Sequence, residues 1–202
     1  MKLILASNNA HKLEELRAIL SALGMEVVSQ KELGLDLEPK ETGTTFEENS
    51  YIKAKAVMDA CGMPAIADDS GLMVDALDGA PGVFSARFGG ELCKNDRERL
   101  DYLLLQLRDV PEAQRGAKFV SVITMLTPDG HKIVARGECH GTILPAPLGE
   151  NGFGYDPVFY VPEKGCTFAQ LPPEEKNRIS HRAKALEAFA KIVKEENINA
   201  DK

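Results

Sequence analysis

The first thirty residues divide into an apolar run, a helical stripe and a second apolar run. Residues 2–6 are short and apolar enough for a buried strand, and Ser7-Asn8-Asn9 breaks them. From Ala10 onward Leu13, Leu16, Leu20 and Leu23 are spaced three, four and three apart, which places them on one helical face. Gly24 stands where a helix end takes a left-handed residue. Residues 25–29 read as strand again. A strand–helix–strand opening of this kind defaults to a right-handed parallel crossover.

Residues 30–45 are polar and irregular. Thr45-Phe46-Glu47-Glu48 has the Thr-x-x-Glu form of a capping box, so a helix is expected from about Phe46 to Cys61, closed by Gly62. After Pro64 the run Ala65-Ile66-Ala67 reads as a strand, and Asp68-Asp69-Ser70-Gly71 places charge where that strand leaves the core. Leu72-Met73-Val74 either continues the strand or forms its antiparallel partner. Residues 78–90 form a glycine- and proline-rich loop that carries Phe84, Arg87 and Phe88. Residues 95–107 form a helix with Leu100, Leu103, Leu104 and Leu107 on one face. Two long β-rich runs, 118–127 and 131–144, flank Pro128-Asp129-Gly130 and signal a hairpin. A loop at 145–156, a short strand at 157–161 and a short helix at 172–176 follow. Ser180 caps a last helix whose inner face is Leu186, Phe189, Ala190 and Val193, and 197–202 is a tail. Alternating helices and strands followed by a hairpin predict an α/β fold with a mixed β-sheet flanked by helices.

At 202 residues the chain fits one domain, 1–202, or one domain of two lobes. Hydrophobic residues are 44% and charged residues 27%, a soluble globular balance. The net charge of −7 argues against a nucleic-acid backbone as partner, while small anions still need only a local basic cluster. No apolar run approaches the length of a membrane span or a signal peptide. Cys61, Cys93, Cys139 and Cys166 are too widely spaced for a zinc knuckle, so the expectation is a cytoplasmic protein with free thiols.

Four stretches combine polarity with loop character. Ser7-Asn8-Asn9-Ala10-His11-Lys12 enters a helix, where backbone N–H groups and the helix dipole suit a phosphate and Lys12 adds charge. It lacks the glycines of a Walker loop, and a plain polar helix cap is the alternative. Residues 38–41 and Asp68-Asp69 supply carboxylates that can share one magnesium ion, since hard cations take oxygen ligands. Side chains adjacent along a strand point to opposite faces, so Asp68 and Asp69 are expected to do different jobs. An ordinary turn and a solvated acidic surface are the plainer alternatives. Gly152-Phe153-Gly154-Tyr155-Asp156-Pro157 offers a ring on a close-running backbone, on which a nucleobase could stack. Lys176 with Ser180-His181-Arg182 gathers donors at helix starts. There is no Gly-x-Ser-x-Gly elbow, and no cysteine has a local catalytic signature, so covalent catalysis is not the first choice.

Taken together, these stretches resemble the inosine/xanthosine triphosphate pyrophosphatase family. The resemblance lies in Ser7-Asn8-Asn9 with Lys12, and in Glu41-Thr42-Gly43 with Thr45-Phe46-Glu47-Glu48-Asn49. It continues through Ala67 to Leu72, Gly79-Ala80-Pro81-Gly82 with Ser85-Ala86-Arg87, Gly152 to Pro157, and Glu175-Lys176 with Ser180-His181-Arg182. Asn8 stands where some members have glycine. The resemblance implies a homodimer, and two lobes with an intervening active-site cleft, as in the related Maf-like fold. It implies magnesium, and a nucleoside triphosphate such as ITP, dITP or XTP cut to the monophosphate and pyrophosphate. It implies that Ser7, Asn8, Asn9, Ala10, His11 and Lys12 bind the phosphates. Asp69 would activate water at the metal, with Glu41 as a further ligand, and Ser70 would contact the substrate. Phe153, Gly154, Tyr155 and Asp156 would hold base and sugar. Lys176, His181 and Arg182 would read the base and nearby phosphate. The rivals are a Maf-type hydrolase of pyrimidine or methylated nucleotides, a non-catalytic nucleotide-binding module, and a structural dimerisation domain.

Overall fold

A computed structural model of the chain describes residues 2–21 and 24–196, and of His11 only the backbone. Leu23, expected at the end of the first helix, and the tail 197–202 lie outside the described residues. The elements are β1 (Lys2–Leu5), α1 (Ala10–Ser21), β2 (Glu26–Ser29), α2 (Phe46–Cys61), β3 (Ala65–Val74), α3 (Asp96–Gln106), β4 (Gly116–Leu126), β5 (Lys132–Ile143), β6 (Phe159–Val161), β7 (Cys166–Thr167), α4 (Pro173–Ile179) and α5 (His181–Glu195). The strands form one seven-stranded sheet in the order β2-β1-β3-β4-β5-β6-β7. It is mixed: β1 runs parallel to β2 and β3, whereas β6 is antiparallel to β5 and β7. The link between β4 and β5 is closed by the Thr127 N–H donating to the His131 carbonyl at 3.0 Å. A connection that short joins antiparallel strands only.

Local chemistry accounts for the helix boundaries. Thr45 caps α2 with its hydroxyl on the Glu48 N–H, and the Glu48 side chain returns to the Thr45 N–H, as the capping box predicts. Gly62 closes the other end in the left-handed region, at φ +65. Asn9 accepts from the Lys12 N–H at 3.1 Å at the start of α1.

The chain divides into two compact units. One is Met1–Asp69, Ser121–Gly137 and Arg182–Lys202; the other is Ser70–Val120 and Glu138–His181. In the first unit, Leu3 and Leu5 of β1 and Leu16 and Leu20 of α1 form a buried core with Ile66, Ile123 and one face of α5. That face is Ala185, Leu186, Phe189 and Val193, with Ala190 only half-buried, because the stripe centres on Phe189, four residues from both Ala185 and Val193, and the next residue turns about 100° away to its edge. A second cluster sets Ala54 and Val57 of α2 against Ile4, Ala65 and Ala67. In the second unit Leu100, Leu103 and Leu107 pack with Phe119, Phe159 and Phe168.

The stretch after Pro64 differs from expectation. The strand does not end at the aspartates: β3 continues unbroken for ten residues, and Asp68 and Asp69 sit in its middle, both buried. Leu72 to Val74 therefore continue the same strand. Ionised carboxylates persist there only because cations from other elements meet them.

Candidate active site

In the first unit, Asp68 and Asp69 point to opposite sides of β3, as the two-residue repeat of a strand requires. Asp68 accepts from the Ser121 hydroxyl at 2.5 Å, from Lys12 Nζ at 2.7 Å and from Arg182 Nη2 at 3.3 Å. Burial opposes its charge, but Arg182 and Lys12 outweigh burial and hold the carboxyl well below the usual aspartate range. Arg182 is also ion-paired to Glu15. The same burial, together with Lys53 and Arg182 nearby, draws the Lys12 ammonium below the ordinary lysine value despite Asp68.

Asp69 faces a different partner. Lys53, from α2, lies 2.6 Å from Asp69 Oδ1 and 3.0 Å from Glu41 Oε1. Burial raises the Asp69 pKa, with Glu41 adding to the rise, while Lys53 and Lys12 pull against it. Burial also works against the Lys53 ammonium, but Asp69, then Glu41 and Asp68, overcome it and raise that pKa. The directions have different causes: two carboxylates outweigh burial at the ammonium, whereas at Asp69 burial and the Glu41 charge outweigh the ammonium. The other Asp69 oxygen, Oδ2, is buried and has no hydrogen-bond partner. The loop bearing Glu41 is tied to α2 by the Gly43 N–H donating to Asn49 Oδ1 at 2.9 Å. A side chain at Gly43 would stand 2.6 Å from Glu48 Cβ and 2.7 Å from Asn49 Oδ1, so only glycine lets the loop lie this close.

The stretch expected to bind phosphate is built as a polar turn. The Ser7 hydroxyl accepts from the Asn9 N–H at 3.1 Å. Gln30 donates to Asn8 Oδ1 at 2.9 Å, and the Asn8 amide reaches Asp36 and Glu38. Ala10 opens α1, and the side chain of His11 lies outside the described residues.

In the second unit, Lys176 Nζ lies 2.6 Å from Asp156 Oδ2, with both residues buried. It sits over the Phe153 ring at 4.8 Å and the Phe168 ring at 5.7 Å. Asp156 Oδ2 also accepts from the Phe153 N–H at 3.0 Å. A Cβ at Gly152 would lie 2.1 Å from that oxygen, and φ is +76 there, so the loop can wrap the carboxylate only through glycine. The Gly154 N–H donates to Asp96. His181 is buried and stacks on Phe119, with centroids 4.8 Å apart and planes 14° from parallel. Ser70 opens this unit.

Two side chains bear on roles that the resemblance implied. The Tyr155 side chain is 6% exposed and its hydroxyl donates to the Ser85 carbonyl at 2.9 Å, so this side chain belongs to the core. Arg182, 1% exposed, pairs with Asp68 and Glu15 in the first unit, whereas His181 belongs to the second. Lys53 was missed. Its signal was available: Asn49, Ser50 and Lys53 interrupt the inner stripe of α2 between Phe46, Ala54 and Val57, and a lysine on an apolar stripe needs a buried acid.

Among the described residues, no group of three or more His, Cys, Asp or Glu side chains is placed to hold a metal ion. Two hard carboxylates, one with a buried unpartnered oxygen, still suit magnesium, which usually takes one or two carboxylates with water and substrate phosphates completing its shell.

Two carboxylates that suit a hard cation, ammonium groups beside them and a polar turn at a helix start are an arrangement able to handle phosphate. Comparison with known proteins narrows that class. The Ham1 family model matches residues 3–192, and the chain belongs to the Ham1 family. It is 51% identical over 187 residues to the dITP/XTP pyrophosphatase of Haemophilus influenzae, covering 92% of this chain and 95% of that protein. It is 50% identical over 195 residues to the dITP/XTP pyrophosphatase of Thermus thermophilus, covering 96% and 93%. Among solved structures, the Ham1 protein of Staphylococcus aureus superposes with a TM-score of 0.87 at 42% identity, covering 97% of this chain and 100% of that one. The nucleoside-triphosphatase / dITP/XTP pyrophosphatase of Mycobacterium abscessus gives 0.75 at 44%, covering 94% and 98%.

Proposed function

We propose that this chain hydrolyses non-standard purine nucleoside triphosphates (ITP, dITP and XTP) to the nucleoside monophosphate and pyrophosphate, removing deaminated purines from the nucleotide pool. Support comes from the dITP/XTP pyrophosphatases that match it over nearly their whole length. The observation that carries the chemistry is Asp69, buried in mid-strand with one oxygen on Lys53 and the other without a partner.

Ser7 to Lys12 hold the phosphates through backbone N–H groups, hydroxyl, amides and ammonium. Asp69 Oδ2 takes the proton of the attacking water. The water oxygen bonds to the α-phosphorus, the α–β bridging bond breaks, and the pair of electrons leaves with pyrophosphate. Asp69 and Glu41 would hold magnesium, which supplies neutralisation of the phosphate charge. Ser70 contacts the substrate. Phe153 stacks on the base, Gly154 and Asp156 shape its loop, and Lys176 and His181 offer donors to the 6-oxo group that adenine lacks. Sites that hydrogen-bond the right base can reject the wrong one by about 10⁴-fold. Arg182 acts through Asp68, as a positioning residue for Lys12. We further propose a homodimer working in the cytoplasm without nucleic-acid or membrane partners. Among the described residues no helix is long and apolar enough to cross a membrane.

Pyrophosphate release from a panel of standard, deaminated and methylated triphosphates, with and without magnesium, tests this. Metal-dependent release favouring ITP, dITP and XTP is expected. A preference for pyrimidine or methylated substrates would move the chain to Maf-type chemistry. Binding without release would make it a nucleotide-binding module.

A further inference from the structure

Residues 35–45 form neither helix nor strand, so Glu41 stands on a stretch with no hydrogen-bonded ladder of its own. Side-chain amides meet its backbone instead, one near each end. The Leu37 carbonyl accepts from Gln30 Nε2 at 3.0 Å, and the Gly43 N–H donates to Asn49 Oδ1 at 2.9 Å. Both amides are buried, Gln30 at 1% exposure and Asn49 at 0%. Gln30 reaches further: the same nitrogen donates to Asn8 Oδ1 at 2.9 Å. We infer that Gln30 is a positioning residue that ties the turn at residues 7–9 to the loop bearing Glu41, so that the turn and the metal ligand meet a nucleotide at a fixed separation. The inference rests on the roles proposed above for that turn and for Glu41.

The polarity of each amide follows from chemistry. A backbone carbonyl only accepts, so the end of the Gln30 amide that meets Leu37 is its NH₂ group. The other hydrogen of that group faces Asn8, which must therefore present its carbonyl oxygen and turn its own NH₂ group away. Asn8 Nδ2 accordingly reaches Asp36 Oδ1 at 3.3 Å and Glu38 Oε1 at 3.4 Å, the residues on either side of Leu37. Every link runs from donor to acceptor. Gln30 is itself held. It opens the short 3₁₀ turn Gln30–Leu33, which Ser29 caps with its hydroxyl on the Glu32 N–H, while the Glu32 carboxylate accepts from the Ser29 N–H at 2.7 Å. The remaining Gln30 oxygen, Oε1, is buried without a hydrogen-bond partner. An acceptor left that way is destabilising, and an apolar side chain would avoid the cost. What the glutamine contributes is its donor end, and that end joins the two loops.

The test compares wild type, Gln30→Met, Asn8→Gly and the double variant, each as the full chain. Gln30→Met keeps the length of the side chain but donates nothing. Lys40 is exposed and lies between Leu37 and Glu41, so tryptic cleavage after it reports local opening of this loop. Gln30→Met is expected to speed that cleavage. It should also raise KM for ITP, and the magnesium needed for half-maximal rate, by about tenfold, the worth of one net hydrogen bond. At saturation kcat should stay near wild type, because Gln30 touches no reacting atom. Asn8→Gly removes the turn's half of the tie and should raise KM as well. In that background Gln30→Met should add little, because both act through one contact. A lower urea midpoint with unchanged KM and magnesium requirement would make Gln30 purely structural and overturn the inference. So would KM effects that add in full in the double variant, because Asn8 would then act without Gln30. Asn8 is exposed, so its variant decides even if Gln30→Met does not fold: unchanged cleavage after Lys40 in Asn8→Gly overturns the tie. No turnover of any triphosphate by wild type would remove the proposed function instead, and the cleavage rates alone would then uphold or overturn the tie.

Discussion

Each unit sets a lysine against a buried aspartate at 2.6 Å, and the two pairs are finished differently. In the second unit, Lys176 is enclosed by Asp156 and the rings of Phe153 and Phe168, and the Asp156 oxygen it meets also receives the Phe153 N–H. The pair holds a loop and a ring in place. In the first unit, Lys53 is divided between Asp69 and Glu41, and Asp69 keeps a buried oxygen with no partner. A pair enclosed by rings and tied to a backbone N–H fixes structure. An incompletely satisfied one keeps a reactive acceptor, held by the strand beneath it and raised in pKa by its burial. Substitutions in the two regions should therefore fail in different ways.

The largest effect is expected at the open pair. Asp69→Asn should fold and bind nucleotide yet lose turnover by about 10²–10⁴-fold, the usual loss on removing a general base. Pyrophosphate release together with calorimetric nucleotide binding checks it. The wild-type rate should also have an acid limb. Burial raises the Asp69 pKa, so the base is protonated and lost as pH falls through a value above the ordinary aspartate range. Asp68 behaves in the opposite sense for stability. Its folded pKa is depressed, so its contribution is present above the unfolded aspartate value, about 3.9, and is lost as pH falls through the lower folded value. Unfolding midpoints below and above that range would show the difference.

The closed pair should break the fold before it breaks the chemistry. Lys176→Met leaves the Asp156 carboxylate buried without its ammonium, which typically costs about 3–5 kcal/mol. Urea unfolding measures it, and adding Asp156→Asn should restore most of the loss. The same change at Lys53 should cost less stability, because Glu41 and Asp69 are more exposed than Asp156 and Asp69 already takes up a proton more readily than an ordinary aspartate. Equal losses at the two lysines would erase the contrast between the regions.

A smaller effect should follow from the ring itself. Phe153→Leu keeps the Lys176–Asp156 pair but removes the surface proposed for the base. The nucleotide should bind about 1–3 kcal/mol more weakly, the range for one base–aromatic stack. That loss should fall in KM, with kcat near wild type, because the ring touches the base and not the reacting phosphorus.

What was legible in the sequence was what local interactions decide. Thr45 and Glu48 cap α2 from three residues apart, Gly62 closes it, and the turn at Pro128-Asp129-Gly130 returns the chain, each through neighbours along the chain. The acidic pair was found, but its setting was not. Two aspartates in mid-strand look like a strand end until Lys12, Lys53 and Arg182, from α1, α2 and α5, are brought to them. Tertiary charge pairing of that kind leaves no local trace. Lys53 left only a lysine on an apolar stripe, and β7, two residues long, left no period to read.

The smallest effect tests where the second region stops being a binding surface. Tyr155 lies in the loop between Phe153 and Asp156, yet its ring packs in the core and its hydroxyl donates to the Ser85 carbonyl. Burial pushes the phenol pKa upward, which keeps it a neutral donor at every working pH. Tyr155→Phe removes one buried hydrogen bond and leaves the ring in place. It should cost about 1 kcal/mol of stability, the net value of such a bond, as a small fall in the urea midpoint. The Ser85 carbonyl is left to find another donor, while the Ser85 hydroxyl still receives the Leu72 N–H, so the loop at 82–87 keeps its anchor on β3. KM for the nucleotide should stay at the wild-type value. A marked rise in KM would place the hydroxyl in the binding surface and extend that surface past Phe153 into what packs as core.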